Sequence, residues 1–119
     1  MKLNSKIHGV IDYVVVLFLL ASPSQFQFPE VTSAVTYMLG GIHLVLTLST
    51  NFELGVFKFI PLKIHGLVEL TVSFALVGVA FYLGKTDGAI SRNFYLLFAF
   101  AVFLTWIVSD YQSSTRTDQ

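Results

Sequence analysis

The heptapeptide KIHGVID at residues 6–12 returns as KIHGLVE at residues 63–69, and this return decides how the chain is organised. Each copy places a histidine four residues before a carboxylate. Both copies open long segments made mostly of Val, Leu, Ile and Phe. We therefore predict a tandem repeat, with one unit at about residues 6–52 and a second at about residues 63–111.

The composition of the chain is typical of a membrane protein. Its 119 residues are 55% hydrophobic and only 12% charged, and the mean hydropathy is +0.74, well above the usual balance of soluble domains. We expect residues 1–119 to form one membrane domain. The formal net charge is zero and no basic block is present, which excludes nucleic-acid binding. The absence of cysteine excludes disulfides, thiolate metal sites and iron–sulfur clusters.

Four segments are long and apolar enough to cross about 30 Å of hydrocarbon as helices. We place them at about residues 6–22, 31–50, 63–84 and 93–110. The predicted fold is an all-α integral membrane four-helix bundle. Because each repeat would contain two crossings, the two units should run in the same direction through the membrane, around an axis near the membrane normal.

The connections between these segments carry turn residues and aromatic side chains. Asp87-Gly88 signals a turn between the third and fourth segments. Phe52, Phe57 and Phe59 lie in the connection between the second and third segments. That connection should therefore lie at the membrane interface, where aromatic residues are enriched.

The distribution of Lys and Arg predicts the orientation of the chain. Five basic residues fall on one predicted side, namely Lys2, Lys6, Lys58, Lys63 and Arg116. Only Lys85 and Arg92 fall on the other. We expect the N- and C-termini to be cytoplasmic, in a bacterial-type inner membrane.

The helical rise places the ionisable residues at a similar depth. If the first and third helices begin at the repeated lysines, Asp12 and Glu69 lie about 9 Å inside, and the two histidines four residues earlier lie about 6 Å shallower. His43, on the antiparallel second helix, lies about 12 Å from the same surface. All of them should share one layer in the cytoplasmic half.

Small and polar residues mark the inward faces of the helices. On the second helix they recur at helical spacing, as Thr36, Gly40, His43, Thr47 and Thr50. On the fourth helix one side carries Ala101, Thr105 and Ser109. Such stripes allow close helix packing in lipid, so we expect them to face the bundle. No histidine of the fourth helix corresponds to His43.

An ionisable group inside a membrane segment indicates function by default. Imidazole and carboxylate groups are ligands of Zn, Fe or Mn. The candidate metal ligands are His8, Asp12, His43, His65 and Glu69. Two of the histidines would alternatively suit axial ligation of haem. A third use is proton exchange in a small proton-coupled transporter.

A structural role competes with these functions. His8 with Glu69, and His65 with Asp12, would join the repeats as polar contacts between helices. The chain has no Gly-rich phosphate loop, no Gly-x-Ser-x-Gly and no His-Glu-x-x-His motif, so the sequence favours a protein that is not an enzyme. Its expected partner is the lipid bilayer. A homo-oligomer or a partner membrane protein stays open.

Four short motifs resemble the small bacterial membrane proteins named for the Ser-Pro-Trp, or SPW, repeat. The motifs are HGVIDY (8–13), LLASP (19–23), TNFELG (50–55) and IPLKIHG (60–66). Three positions depart from the family pattern: Ser24 stands in place of Trp, Val79-Ala80 in place of the second Ser-Pro, and Glu69 in place of Asp. The resemblance implies a duplicated two-helix unit and a four-helix membrane protein, and it implies no particular activity.

Overall fold

The computed structural model describes residues 3–109 and contains four α-helices within that range. They are α1 (Ser5–Gln25), α2 (Glu30–Ser49), α3 (Leu62–Asp87) and α4 (Ala89–Val108). Each helix is long and apolar enough to cross a membrane. The predicted all-α four-helix architecture is confirmed. The tail QSSTRTDQ, including Arg116, lies outside the described residues.

The helices begin where the sequence supplies start signals. The Asn4 side chain caps α1 by accepting a hydrogen bond from the amide of Ile7 at 2.9 Å. Pro29 and Pro61 stand immediately before α2 and α3. A proline fixes its own φ and cannot donate a backbone hydrogen bond, which suits the start of a helix. These signals divide the apolar chain into helices.

The connection between α3 and α4 is shorter than predicted. We expected a connecting loop from about residue 85 to residue 92, whereas α3 continues to Asp87 and α4 starts at Ala89. Gly88, between them, has a φ of 106°, which favours glycine because it has no Cβ. The Asp87 carboxylate accepts hydrogen bonds from the Thr32 amide and hydroxyl, both at 2.7 Å. These bonds fasten the last turn of α3 to the first turn of α2.

The connection between α2 and α3 divides its aromatic residues between the interior and the exterior. Phe57 and Phe59 are 64% and 72% exposed, as expected of an interfacial segment, but Phe52 is 3% exposed. Its ring lies against Gly9 of α1, where a larger residue would clash with it. A backbone contact between Leu3 and Ser109 brings both described chain ends to this same end of the bundle.

The interior is small, and the exterior is apolar. A compact cluster of Leu76, Ala80, Leu83, Tyr95 and Ala99 joins α3 to α4. Many large hydrophobic side chains point outward, among them Leu17 and Leu97, which are 69% and 71% exposed. Such an exterior suits a lipid bilayer, where apolar side chains need no cover.

The predicted inward stripe of α2 is confirmed. Thr36, Thr47 and Thr50 are each 0% exposed, and Gly40 is buried. His43 is half-buried at the edge of this face. On α4 the predicted inward side is confirmed at Ser109, which is buried, and is wrong at Ala101, which is exposed although it lines part of a cavity between the helices.

Candidate metal centre

Two residues of α1 and two of α3 meet in the interior near one end of the bundle. They are His8, Asp12, His65 and Glu69, all of them buried, and one ligand atom from each lies within 4.8 Å of the other three. We call these residues the four-residue group. In each helix the histidine and the acid are four residues apart and therefore share one face. The predicted shared layer is confirmed for these residues.

The contacts within the group run both along and between the two helices. His8 Nε2 lies 3.0 Å from Glu69 Oε2 and 3.2 Å from Asp12 Oδ2. His65 Nε2 lies 3.1 Å from each of the same two oxygens. Both imidazoles thus direct the same nitrogen at the same pair of carboxylates. The expected pairs between repeats, His8 with Glu69 and His65 with Asp12, are present.

The other nitrogen of each imidazole is held by a hydroxyl group at the end of a neighbouring helix. His65 Nδ1 lies 2.8 Å from Thr50 Oγ1, and His8 Nδ1 lies 2.6 Å from Ser109 Oγ. Thr50 and Ser109 are the residues that follow α2 and α4. The two histidines therefore have equivalent surroundings in the two halves of the chain.

These hydroxyl groups fix the orientation of the imidazoles. Thr50 donates its proton to the carbonyl of Leu46, and Ser109 donates to the carbonyl of Thr105, each at 2.6 Å. Because a hydroxyl has one proton, each oxygen must accept a hydrogen bond from Nδ1. The hydrogen-bond network thus places a proton on Nδ1 of both rings and directs Nε2 toward the carboxylates. Without a metal ion, each Nε2 is in hydrogen-bond contact with Glu69 Oε2, at 3.0 Å from His8 and 3.1 Å from His65, which requires a second proton on the ring or a protonated carboxyl group. Hydrogen bonds of this kind orient imidazoles that bind metals.

One buried oxygen in the group has no hydrogen-bond partner within residues 3–109. Asp12 Oδ2 lies close to both Nε2 atoms, yet neither contact has hydrogen-bond geometry. A buried polar atom left in this way is costly unless a cation satisfies it. The positive charge that satisfies Asp12 Oδ2 is either that of the protonated imidazoles, which lie 3.1 and 3.2 Å away, or that of a bound cation.

The spacing of the four atoms matches a small cation. Ligands at about 2.0–2.1 Å from a tetrahedral zinc ion lie about 3.3–3.4 Å from one another. The four nitrogen-to-oxygen distances in the group are 3.0, 3.1, 3.1 and 3.2 Å. Two imidazole nitrogens and two carboxylate oxygens also form a donor set that suits zinc. The donor set therefore suits a divalent ion, while the nitrogen-to-oxygen distances are slightly shorter than those around zinc and are equally those of hydrogen bonds.

His43 lies beside the four-residue group and does not belong to it. Its Nε2 is 3.5 Å from Asp12 Oδ1, and its side chain is 19% exposed. The depth expected from the sequence brings His43 into the same layer, but the rotation of α2 keeps its ring at the edge. The structure places it next to the carboxylate of Asp12.

The sequence alone does not identify the partners of the histidines. Thr50 and Ser109 were predicted to lie on inward faces, with no role at the site. The signal that could have identified them is their position. Each is a hydroxyl residue at the end of an antiparallel helix, and such a helix ends in the same layer where the histidines begin.

Comparison of the chain with protein-family models, characterised proteins and solved structures finds no match to any of the three. The resemblance to the SPW repeat family stays a prediction. The class that the fold and the site define is a bundle of four apolar helices with a buried His/Asp/His/Glu group able to hold a metal ion.

Proposed function

We propose that this protein binds one divalent transition-metal ion through His8, Asp12, His65 and Glu69, and that Zn²⁺ fits best. The observation that carries the proposal is that two imidazoles, each held at Nδ1 by a hydroxyl group, direct Nε2 at the same two carboxylates. Zn²⁺ accepts nitrogen and carboxylate ligands in tetrahedral geometry, whereas Mg²⁺ and Ca²⁺ prefer oxygen ligands at larger coordination numbers. Fe²⁺ and Mn²⁺ also accept this donor set, although they often take more ligands.

The same geometry disfavours axial ligation of haem. A porphyrin needs a flat slot between its two axial nitrogens. Here the space toward which both Nε2 atoms point contains the carboxylate oxygens of Asp12 and Glu69, at 3.0–3.2 Å from the nitrogens. Haem could enter only if both acids moved away.

The ion would connect α1 to α3 and so join the two halves of the chain. Its charge would balance the two carboxylates while both imidazoles stay neutral. A buried polar group of this kind stabilises the fold when every charged or polar atom in it has a partner, and it destabilises the fold when one partner is missing. Polar contacts between helices, the structural alternative, use the same side chains and need no ion.

The membrane setting and the repeat belong to the same proposal. We place the chain in a bacterial-type inner membrane with cytoplasmic termini, because Lys and Arg are more numerous at the ends that would face the cytoplasm. The equivalent surroundings of His8 and His65 support a tandem two-helix repeat, as the resemblance to the SPW family implies. A duplicated hairpin would supply one histidine and one acid from each copy.

Zinc titration of the purified protein in detergent tests the proposal. After treatment with a chelator, the wild type should bind one Zn²⁺ per chain by calorimetry. Glu69→Gln should weaken binding by about a hundredfold or more, because an amide is a poor ligand and the ion would keep an unbalanced charge. Binding should weaken as the pH falls, because protons compete for Nε2.

Two control variants make the titration specific. Glu53→Gln removes an exposed carboxylate outside the group and should leave binding unchanged. His43→Phe should retain one Zn²⁺ per chain, because His43 is not one of the four ligands. A wild type without stoichiometric zinc, or equal losses in Glu69→Gln and Glu53→Gln, would refute the proposal.

A further inference from the structure

A cavity occupies the middle of the bundle beside the four-residue group. Its volume is about 90 Å³, and all four helices contribute to its wall. Leu19, Val72 and Phe98 belong to the apolar part of this wall, and Asp12, Glu69 and His43 form its polar end. We call this space the central cavity. Largely apolar cavities with a few convergent polar groups are the usual form of small-molecule sites.

His43 supplies an unused hydrogen-bonding atom at the polar end. Its Nε2 is buried and has no hydrogen-bond partner within residues 3–109. The nearest carboxylate oxygen, Asp12 Oδ1, is 3.5 Å away, too far for an effective hydrogen bond. A buried imidazole nitrogen without a partner is costly, so a molecule in the central cavity that hydrogen-bonds to Nε2 would be stabilised.

We propose that the central cavity binds a small, uncharged, lipid-soluble molecule through a hydroxyl group that hydrogen-bonds to His43 Nε2. The apolar wall requires an apolar body, and a net charge there would be desolvated without compensation. The central cavity, at about 90 Å³, is smaller than the cavity of about 150 Å³ that holds benzene, so a small ring would occupy it only in part and extend toward the exposed side of its wall. Ala101, an exposed residue on the wall, marks where such a molecule enters.

The central cavity and its proposed ligand do not depend on the proposed metal ion. The cavity wall and His43 are parts of the chain itself, and His43 is not among the four proposed ligands. Asp12 and Glu69 contribute to both sites, so the binding measurements are made with a chelator and again with Zn²⁺. Binding of a small molecule to the metal-free protein, measured in the presence of the chelator, would separate the cavity proposal from the metal proposal.

The test uses 4-fluorophenol and fluorobenzene as probes, and fluorine NMR measures their binding to the protein in detergent. Protein-free micelles give the correction for partitioning. The wild type should bind 4-fluorophenol saturably and prefer it to fluorobenzene by about three- to tenfold, the usual gain from one hydrogen bond. His43→Phe keeps a ring of similar size but loses the hydrogen-bonding nitrogen. Its affinities for the two probes should therefore differ by no more than about twofold.

A second pair of variants tests the position of the site. Ala101→Leu adds the bulk of an isopropyl group at the exposed edge of the cavity wall, where the molecule would enter, and it should weaken 4-fluorophenol binding by about tenfold or more. Ala75→Leu makes the same change at an exposed position outside the cavity wall and should bind like the wild type. The inference is overturned if the wild type shows no saturable binding, if His43→Phe keeps the full preference, or if a folded Ala101→Leu binds like Ala75→Leu.

Discussion

Two hydroxyl groups hold the buried histidines of the four-residue group in their orientation. Thr50 and Ser109 each use their proton on a carbonyl of the preceding turn and accept a hydrogen bond from an imidazole. The carbonyls of Leu46 and Thr105 lie in last turns of helices, where carbonyl groups commonly lack partners. One hydroxyl therefore satisfies a helix end and orients a histidine at the same time.

Removing the Thr50 hydroxyl should weaken metal binding without removing a ligand. Thr50→Val keeps a β-branched side chain but leaves His65 Nδ1 without its acceptor, so the zinc affinity should fall by about ten- to a hundredfold. Thr71→Val is the control, because the Thr71 hydroxyl only bonds to a carbonyl of its own helix on an exposed face. Calorimetric titration of both variants measures the difference. Equal affinities would contradict the role of the hydroxyl.

That the four residues of the group lie at a similar depth could be predicted from the sequence, but their contacts could not. The repeated heptapeptide and the rise of a helix place His8, Asp12, His65 and Glu69 at a similar depth. Depth alone does not determine the rotation of a helix about its axis. That rotation separates His65, which is 1% exposed in its side chain, from His43, which is 19% exposed.

At the scale of elements, α1 and α2 approach closely at Gly40. A Cβ built on this glycine would lie 2.9 Å from Leu20 Cδ2, closer than side chains normally pack. The neighbouring Gly41 faces open space, with nothing within 4 Å of a Cβ built there. The same substitution can therefore be made at two adjacent glycines, one packed against α1 and one facing open space.

Leucine at the two glycines should affect stability differently. Gly40→Leu should lower the free energy of unfolding in detergent by about 1–3 kcal/mol through overpacking against α1. Gly41→Leu points away from the protein and should not destabilise it in this way. Thermal unfolding followed by circular dichroism compares the two variants. The same loss in both would contradict the packing of α2 against α1.

Helix existence could be predicted more reliably than helix ends. Apolar length identifies all four helices, but α3 and α4 approach each other to within one residue because Asp87 is hydrogen-bonded to Thr32 and Gly88 adopts a positive φ. α1 also runs to Gln25 instead of ending near residue 22, with Pro23 in its last turn. Proline removes a backbone donor there, and the helix ends two residues later. Such contacts depend on the tertiary structure.

The whole molecule is a bundle whose described chain ends and α2–α3 connection lie at one end. Ser5 at the start of α1 donates a hydrogen bond to Glu53 in that connection. The four-residue group lies close to this end. If the termini are cytoplasmic, the proposed ion lies in the cytoplasmic half of the membrane.

Cysteine labelling in intact cells tests this orientation, and the chain has no native cysteine to interfere. Val56→Cys, in the α2–α3 connection, should be protected from a membrane-impermeant maleimide until the cells are lysed. Ser24→Cys, at the opposite end of α1, should react in intact cells. Both side chains replaced are exposed. The reverse labelling pattern would contradict cytoplasmic termini.

X-ray absorption at the zinc edge of the zinc-loaded protein tests whether His8, Asp12, His65 and Glu69 hold the ion, because the spectrum reports the ligands themselves. The account predicts four nitrogen and oxygen neighbours at about 2.0–2.1 Å, with outer-shell scattering from two imidazole rings. Glu69→Gln should lose this spectrum, and His43→Phe should keep it. A wild-type spectrum with six oxygen neighbours and no imidazole scattering would contradict the claim that His8, Asp12, His65 and Glu69 hold the ion.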